Sequence, residues 1–179
     1  MTSPRTLVAG IGNVFLGDDG FGVEVVRRLS ERAAQHNVSI VDFGIRGIDL
    51  TYTLLDGGYD RVILVDATPR GRAAGTLYVI EPDLPPREDG QPRALEAHSL
   101  APAEVLSMVL TMGGKLPVIR VVGCEPAQIP DDDDVDVGLS PPVAAAVAPA
   151  VALIEELIRC SMEGGPGNVV NLAEEDIRA

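Results

Sequence analysis

Three short apolar runs, separated by two amphipathic stretches, occupy the first 67 residues and restrict the chain to few folds. TLVAGIG (6–12), VSIVDFG (38–44) and RVILVDA (61–67) read as strands. Between them, FGVEVVRRLSERAAQ (21–35) sets Val23, Val26 and Leu29 on one helical face, with Arg27, Glu31 and Arg32 elsewhere. GIDLTYTLLDG (47–57) reads as a shorter helix stopped by Gly57 and Gly58. A strand that returns through a helix to a further strand makes a right-handed crossover, and repeated crossovers build a parallel sheet.

The pattern then changes. GTLYVIEP (75–82) follows the third strand too closely for a helical crossover, so it is expected antiparallel, at a sheet edge. Residues 83–97 are polar and contain proline, as a loop would. APAEVLSMVLTMG (101–113) reads as a helix with Pro102 at its start and Gly113 past its end. PVIRVVGCEP (117–126) is the fifth strand, and SPPVAAAVAPAVALIEELIRC (140–160) is a long helix, expected to bend at Pro149. The expected architecture is α/β: a three-layer sandwich with a five-stranded, mostly parallel sheet, one antiparallel edge strand and helices on both faces. One domain is expected over residues 1–162, followed by a C-terminal tail, 163–179, that is poorly tied down.

Charge excludes some function classes. A net charge of −13 argues against nucleic acid as a partner, because phosphate binding needs a basic surface. No apolar run reaches the roughly 18 residues of a membrane span, so no membrane insertion is expected. The two cysteines, Cys124 and Cys160, form no CxxC pair, and no signal pattern precedes the first strand. Both features fit a reduced, cytoplasmic protein. Cys124 reads as an inert core thiol. GIGNVFLGDDG departs from G-x-G-x-x-G and carries two acids where a pyrophosphate would sit, so nucleotide binding fits poorly. No G-x-S-x-G elbow is present.

In open α/β sheets, ligands bind beyond the carboxyl ends of the parallel strands. Asp18 and Asp19 lie in the loop after the first strand, and Asp66 closes the third. His98 precedes the helix at 101–112 and can reach the same edge. One of the adjacent acids is expected to serve the turn and the helix beginning near Gly20, leaving the other to face the cleft. Asp18 suits the first role and Asp19 the second. Asp66 reads as functional rather than as a cap for the next turn. His36, at the end of the 21–35 helix, reads as structural. Asp19, Asp66 and His98 together suit a divalent metal such as Mn, Ni or Zn; acid–base chemistry without a metal fits the same residues.

The motifs GIGNVFLGDDGFGVEVV, DFGIRGIDLTYTLL, RVILVDA, HSLAPAEVL, VVGCEP and GLSPPVAAAV follow one another in an order that resembles the hydrogenase maturation proteases, over residues 6–158. The resemblance implies a phosphorylase/hydrolase-like fold. It implies an endopeptidase, grouped at times with the aspartic type, that removes a C-terminal peptide from the large-subunit precursor of a nickel–iron hydrogenase after nickel insertion. It places the metal-binding roles, and with them catalysis, on Asp19, Asp66 and His98; the first position is often Glu in the family. It matches DFGIRG to a loop beside the cleft, so Gly44, Ile45, Arg46 and Gly47 are expected to seat the substrate. Nickel is expected to arrive on the substrate, with no organic cofactor. The rival is a checkpoint or chaperone that binds the nickel-loaded precursor without cutting it. IPDDDDVDVGL (129–139) reads as a solvated acidic loop, or one that steers a basic substrate surface.

Overall fold

The computed structural model describes residues 4–32, 36–82, 102–129 and 135–160. Its elements are β1 (Thr6–Ile11), α1 (Phe21–Ser30), β2 (Val38–Gly44), α2 (Gly47–Asp56), β3 (Arg61–Ala67), β4 (Leu77–Ile80), α3 (Pro102–Thr111), β5 (Val118–Cys124) and α4 (Pro141–Cys160). A single 3-10 turn, Gly17–Gly20, stands between β1 and α1. Among the described residues the strands form one sheet in the order β2-β1-β3-β5-β4. β1, β2, β3 and β5 run parallel, while β4 pairs antiparallel to β5 at the edge, Leu77 opposite Cys124 and Ile80 opposite Val121.

Each central strand is apolar on both sides because each side meets helices. Val8, Ile63, Val65, Val122 and Cys124 pack with α1 and α4. Leu7, Ala9, Val62, Leu64, Ile119 and Val121 pack with α2 and α3. The alternation along β1, β3 and β5 is the two-residue period of a strand, read out into two cores. This is the three-layer sandwich the sequence predicts. The long helix α4 runs unbroken through Pro149. α1 stops at Ser30, short of the expected 35, and His36 is exposed in the turn before β2 rather than at a helix end. The 163–179 tail and the aspartates at 131–134 lie outside the described residues.

α1 lies unusually close to the sheet, and glycines permit it. A Cβ at Gly22 would stand 2.1 Å from the Val65 carbonyl oxygen and 2.3 Å from that of Ile11. At Gly12, with φ of +126°, it would stand 1.8 Å from the carbonyl oxygen of Asp19. The glycines of GIGNVFLGDDGFG thus press the start of α1 onto β1 and β3, and fold the Asp19 turn back against the end of β1.

From β1 the chain leaves toward β2, and from β3 it leaves toward β5 and β4. The strands β1 and β3 therefore flank the topological switch point, where a crevice opens at the carboxyl edge of the sheet.

Candidate functional site

Both predicted acids border that crevice. Asp19 sits in the 3-10 turn after β1, half-buried, and its Oδ2 accepts the backbone N–H of Asn13 at 2.6 Å. Asn13 in turn accepts the Phe15 N–H through Oδ1 at 3.0 Å. Asp66 is the penultimate residue of β3, in register with Gly123 of β5, and half-buried. Burial raises its carboxyl, and the negative charge of Asp19 raises it further; the Ala67 N–H works the other way, and the result is a pKa of about 7. A carboxyl of this kind exchanges a proton near neutrality. A cation held between the two acids would relieve both the burial and the repulsion, and hard carboxylate oxygens suit a divalent metal. Among the described residues no group of three or more metal-ligating side chains occurs. The third expected member, His98, lies outside the described residues.

Asp18 does a different job from the one expected of it. It is 2% exposed. Its carboxylate accepts the N–H of Ala127 at 2.8 Å and of Gln128 at 3.4 Å, and both the N–H and the hydroxyl of Ser140, at 2.7 and 2.9 Å. It therefore serves the start of α4 and the loop after β5, not the helix it precedes. α1 begins at Phe21 with Gly20 at its N-cap and no side-chain cap from either acid. The segment around Asp136 completes the clamp, its carbonyl accepting the Gly17 N–H at 2.6 Å and its own N–H bonding the Phe15 carbonyl at 2.9 Å.

The loop after β2 stands beside the Asp19 loop, joined to it by the Gly12 N–H and Gly44 carbonyl at 3.1 Å. Gly44 turns with φ of +53°, Ile45 is exposed, and Gly47 opens α2. The Arg46 guanidinium is engaged with its own loop. It bonds the Phe43 carbonyl at 3.2 Å and the Asp42 carbonyl, and pairs with Asp49 at 3.7 Å. The available surface of this loop is therefore Ile45 and backbone. Asp42, exposed at the end of β2 and in register with Gly10, adds a third acid to the edge. Sequence reasoning passed over it, although its place at the end of a parallel strand is the signal that singled out Asp66. Cys124 is fully buried, and burial, with Asp18 and Glu125 adding their charge, pushes its thiol up to about 12, which leaves it inert.

The loops at this edge carry exposed apolar side chains, Val14 and Phe15 after β1 and Ile45 after β2, and Ile48 in the first turn of α2 is exposed as well. A separate cavity of about 180 Å³, lined by Leu54, Gly57, Tyr59, Lys115, Leu116 and Pro117, opens at the opposite, amino edge of the sheet.

The sequence profile of the hydrogenase maturation proteases matches residues 23–157. The chain belongs to the hydrogenase maturation protease family. The protease is 34% identical over 150 residues to the hydrogenase expression/formation protein HupD of Bradyrhizobium diazoefficiens, covering 83% of this chain and 75% of HupD. It is similar to the hydrogenase maturating endopeptidase HybD from E. coli, with 29% identity, a TM-score of 0.68 and coverage of 88% of this chain and 93% of that one. It is also similar to the [NiFe] hydrogenase maturation protease HycI from Thermococcus kodakarensis, with 26% identity, a TM-score of 0.66 and coverage of 88% and 94%. The protease is accordingly a peptide-bond hydrolase, with its paired acids where such a fold binds ligands. No helix among its described residues is long and apolar enough to cross a membrane.

Proposed function

We propose that this protease removes a C-terminal peptide from the nickel-loaded large-subunit precursor of a nickel–iron hydrogenase, in the cytoplasm. The facing of Asp19 and Asp66 across the switch point carries the reading, since Asp19 is close enough to raise the Asp66 carboxyl. Nickel is part of the substrate. Asp19 and Asp66 offer it anionic oxygens, and His98 an imidazole, so the precursor is recognised by the metal it has received. Docking brings the scissile bond to the carboxyl edge. A water polarised there, or activated by a carboxylate acting as general base, attacks the peptide carbonyl. The exposed Ile45 and the backbone of Gly44 to Gly47 lie alongside, suited to hold an extended segment.

The test is to incubate the protein with purified precursor, with and without nickel, and weigh the products. Loss of one C-terminal peptide from the nickel-loaded form alone is the expected result, and Asp66→Asn should abolish it. Binding to the loaded precursor without any loss of mass would instead make the chain a checkpoint. Equal cutting of the metal-free precursor would remove the proposed role of the three residues.

A further inference from the structure

The loop that follows Asp66 is fastened by a buried carboxylate that the proposed reaction does not use. Glu125, the residue after β5, is 4% exposed. Its two oxygens accept the Arg70 N–H at 3.1 and 2.8 Å, and Oε1 accepts the Gly71 N–H at 3.0 Å. The Tyr78 hydroxyl donates to Oε2. Successive N–H groups that converge on one anion form a nest, and here the anion is the chain's own. Burial pushes the Glu125 carboxyl up, but the bonds from Tyr78 and from the N–H groups of Arg70, Gly71 and Arg72 outweigh it and hold the group below its usual range. It is therefore a fixed charge.

The remainder of the loop is tied to the same place. The Thr68 N–H bonds the Cys124 carbonyl at 2.8 Å, the Gly75 N–H bonds the Glu125 carbonyl at 2.8 Å, and the Glu125 N–H bonds the Thr76 carbonyl at 2.8 Å. The Thr68 side chain covers Gly123, where an added Cβ would meet Oγ1 at 2.6 Å. Arg70 and Arg72 are exposed, and Arg70 rests over the Tyr78 ring at 5.6 Å. Arg27, Arg28, Arg32, Arg46 and Arg120 pair with carboxylates; among the described residues no ion pair joins Arg70 or Arg72. The surrounding edge carries Asp19, Asp42, Asp66 and Asp136. An anionic group on a docking substrate is repelled by those acids and attracted at this loop.

On the reading that this edge receives the precursor, we infer that Glu125 is a positioning residue that fixes the 68–75 loop, and that Arg70 and Arg72 bind a carboxylate on the substrate. A guanidinium matches a carboxylate with two parallel donors, and a loop already fixed loses little freedom on docking. The carboxylate belongs either to an acidic side chain of the removed peptide or to the precursor's free C-terminus.

Steady-state processing of nickel-loaded precursor by the wild type, by Arg70→Ala/Arg72→Ala and by Glu125→Gln tests this. The double variant should raise KM about tenfold with kcat within about twofold, and should flatten the dependence of KM on salt. Its melting temperature should be unchanged, and Arg70→Lys/Arg72→Lys should recover part of the loss. Glu125→Gln turns an amide NH2 toward N–H donors and should raise KM similarly. If that variant does not fold, the double variant alone decides. An unchanged KM in the double variant overturns the inference. Two altered precursors identify the carboxylate: one amidated at its C-terminus, one with the acids of its extension changed to amides. The one that brings the wild-type KM to that of the double variant is the source, and no effect from either overturns the inference. If the wild type leaves loaded precursor uncut, the protease reading fails, and calorimetric binding of precursor to wild type and double variant still measures the arginine contact.

Discussion

The charge on Asp66 opposes folding, and that gives the site a signature in stability. Burial and the neighbouring Asp19 raise its carboxyl from 3.8 to about 7. Between roughly pH 4 and 7 the folded chain holds a proton that the unfolded chain has released. The contribution of that proton to stability is complete below the unfolded value and is lost as pH rises through 7. Asp66→Asn never ionises, so its stability relative to the wild type should climb from pH 4 to 7 and then level off. The expected gain is ~1–3 kcal/mol, a few degrees in Tm, accompanied by loss of processing. Melting curves of both proteins from pH 4 to 8 would show it, and a wild type that melts above the variant at pH 8 would contradict the geometry. Next door, Asp18→Ala should behave oppositely. It removes a buried carboxylate that ties the exposed loop at Ala127 and the half-buried Ser140 to the start of α1, and should cost about 1–3 kcal/mol in urea unfolding, whereas Asp19→Ala should cost mainly activity. Which of two adjacent aspartates did which job was only half legible in the sequence. Placing Asp19 on the crevice follows from the fold class; the partners of Asp18 lie 109 to 122 residues away, and no local pattern announces them.

At the scale of elements, the closeness of α1 to the sheet is what sets the Asp19 turn beside Asp66. Gly22 allows it, since a Cβ there meets two strand carbonyl oxygens at 2.1 and 2.3 Å. Backbone on both sides cannot yield as a flexible side chain would. Gly22→Ala should therefore cost at least about 3 kcal/mol, seen as a lower urea midpoint or as insoluble protein. Gly57→Ala makes the contrast: φ is +71° and ψ −160°, a conformation that favours glycine, but nothing stands within 4 Å, so only backbone strain of roughly 1–3 kcal/mol is expected, with no clash. A Gly22→Ala variant as stable as Gly57→Ala would show that α1 can lift off the sheet. The strands were legible because their signal is local, as with the β3 run RVILVDA, and β4 because the short gap after β3 leaves no room for a crossover helix. The end of α1 was not legible, because the periodic residues continue past Ser30 while the helix stops there. Glu125 was missed for the same reason as the task of Asp18. It reads as an ordinary acid after a strand until the β3–β4 loop folds over it.

The whole molecule is polarised between its two sheet edges. The carboxyl edge gathers the acids, the Arg70–Arg72 loop and exposed apolar side chains, whereas the amino edge holds the 180 Å³ cavity beside Lys115. On the proposed reading the protease must hold a large-subunit precursor, and these exposed apolar side chains offer a surface for it. Phe15 is 58% exposed and Ile45 is 60% exposed, on loops joined by the Gly12–Gly44 hydrogen bond. Side chains this exposed add little to the stability of the free protein. Their apolar surface gains a favourable place only when a partner covers it. Phe15→Ala/Ile45→Ala should therefore raise KM for the loaded precursor by about tenfold or more, with kcat and Tm nearly unchanged. Lys115→Ala, on the far edge, should leave both kinetic constants alone. Steady-state processing with the three proteins decides between the edges: a KM effect from Lys115→Ala and none from the Phe15 and Ile45 pair would move the docking surface to the amino edge and separate it from the acids.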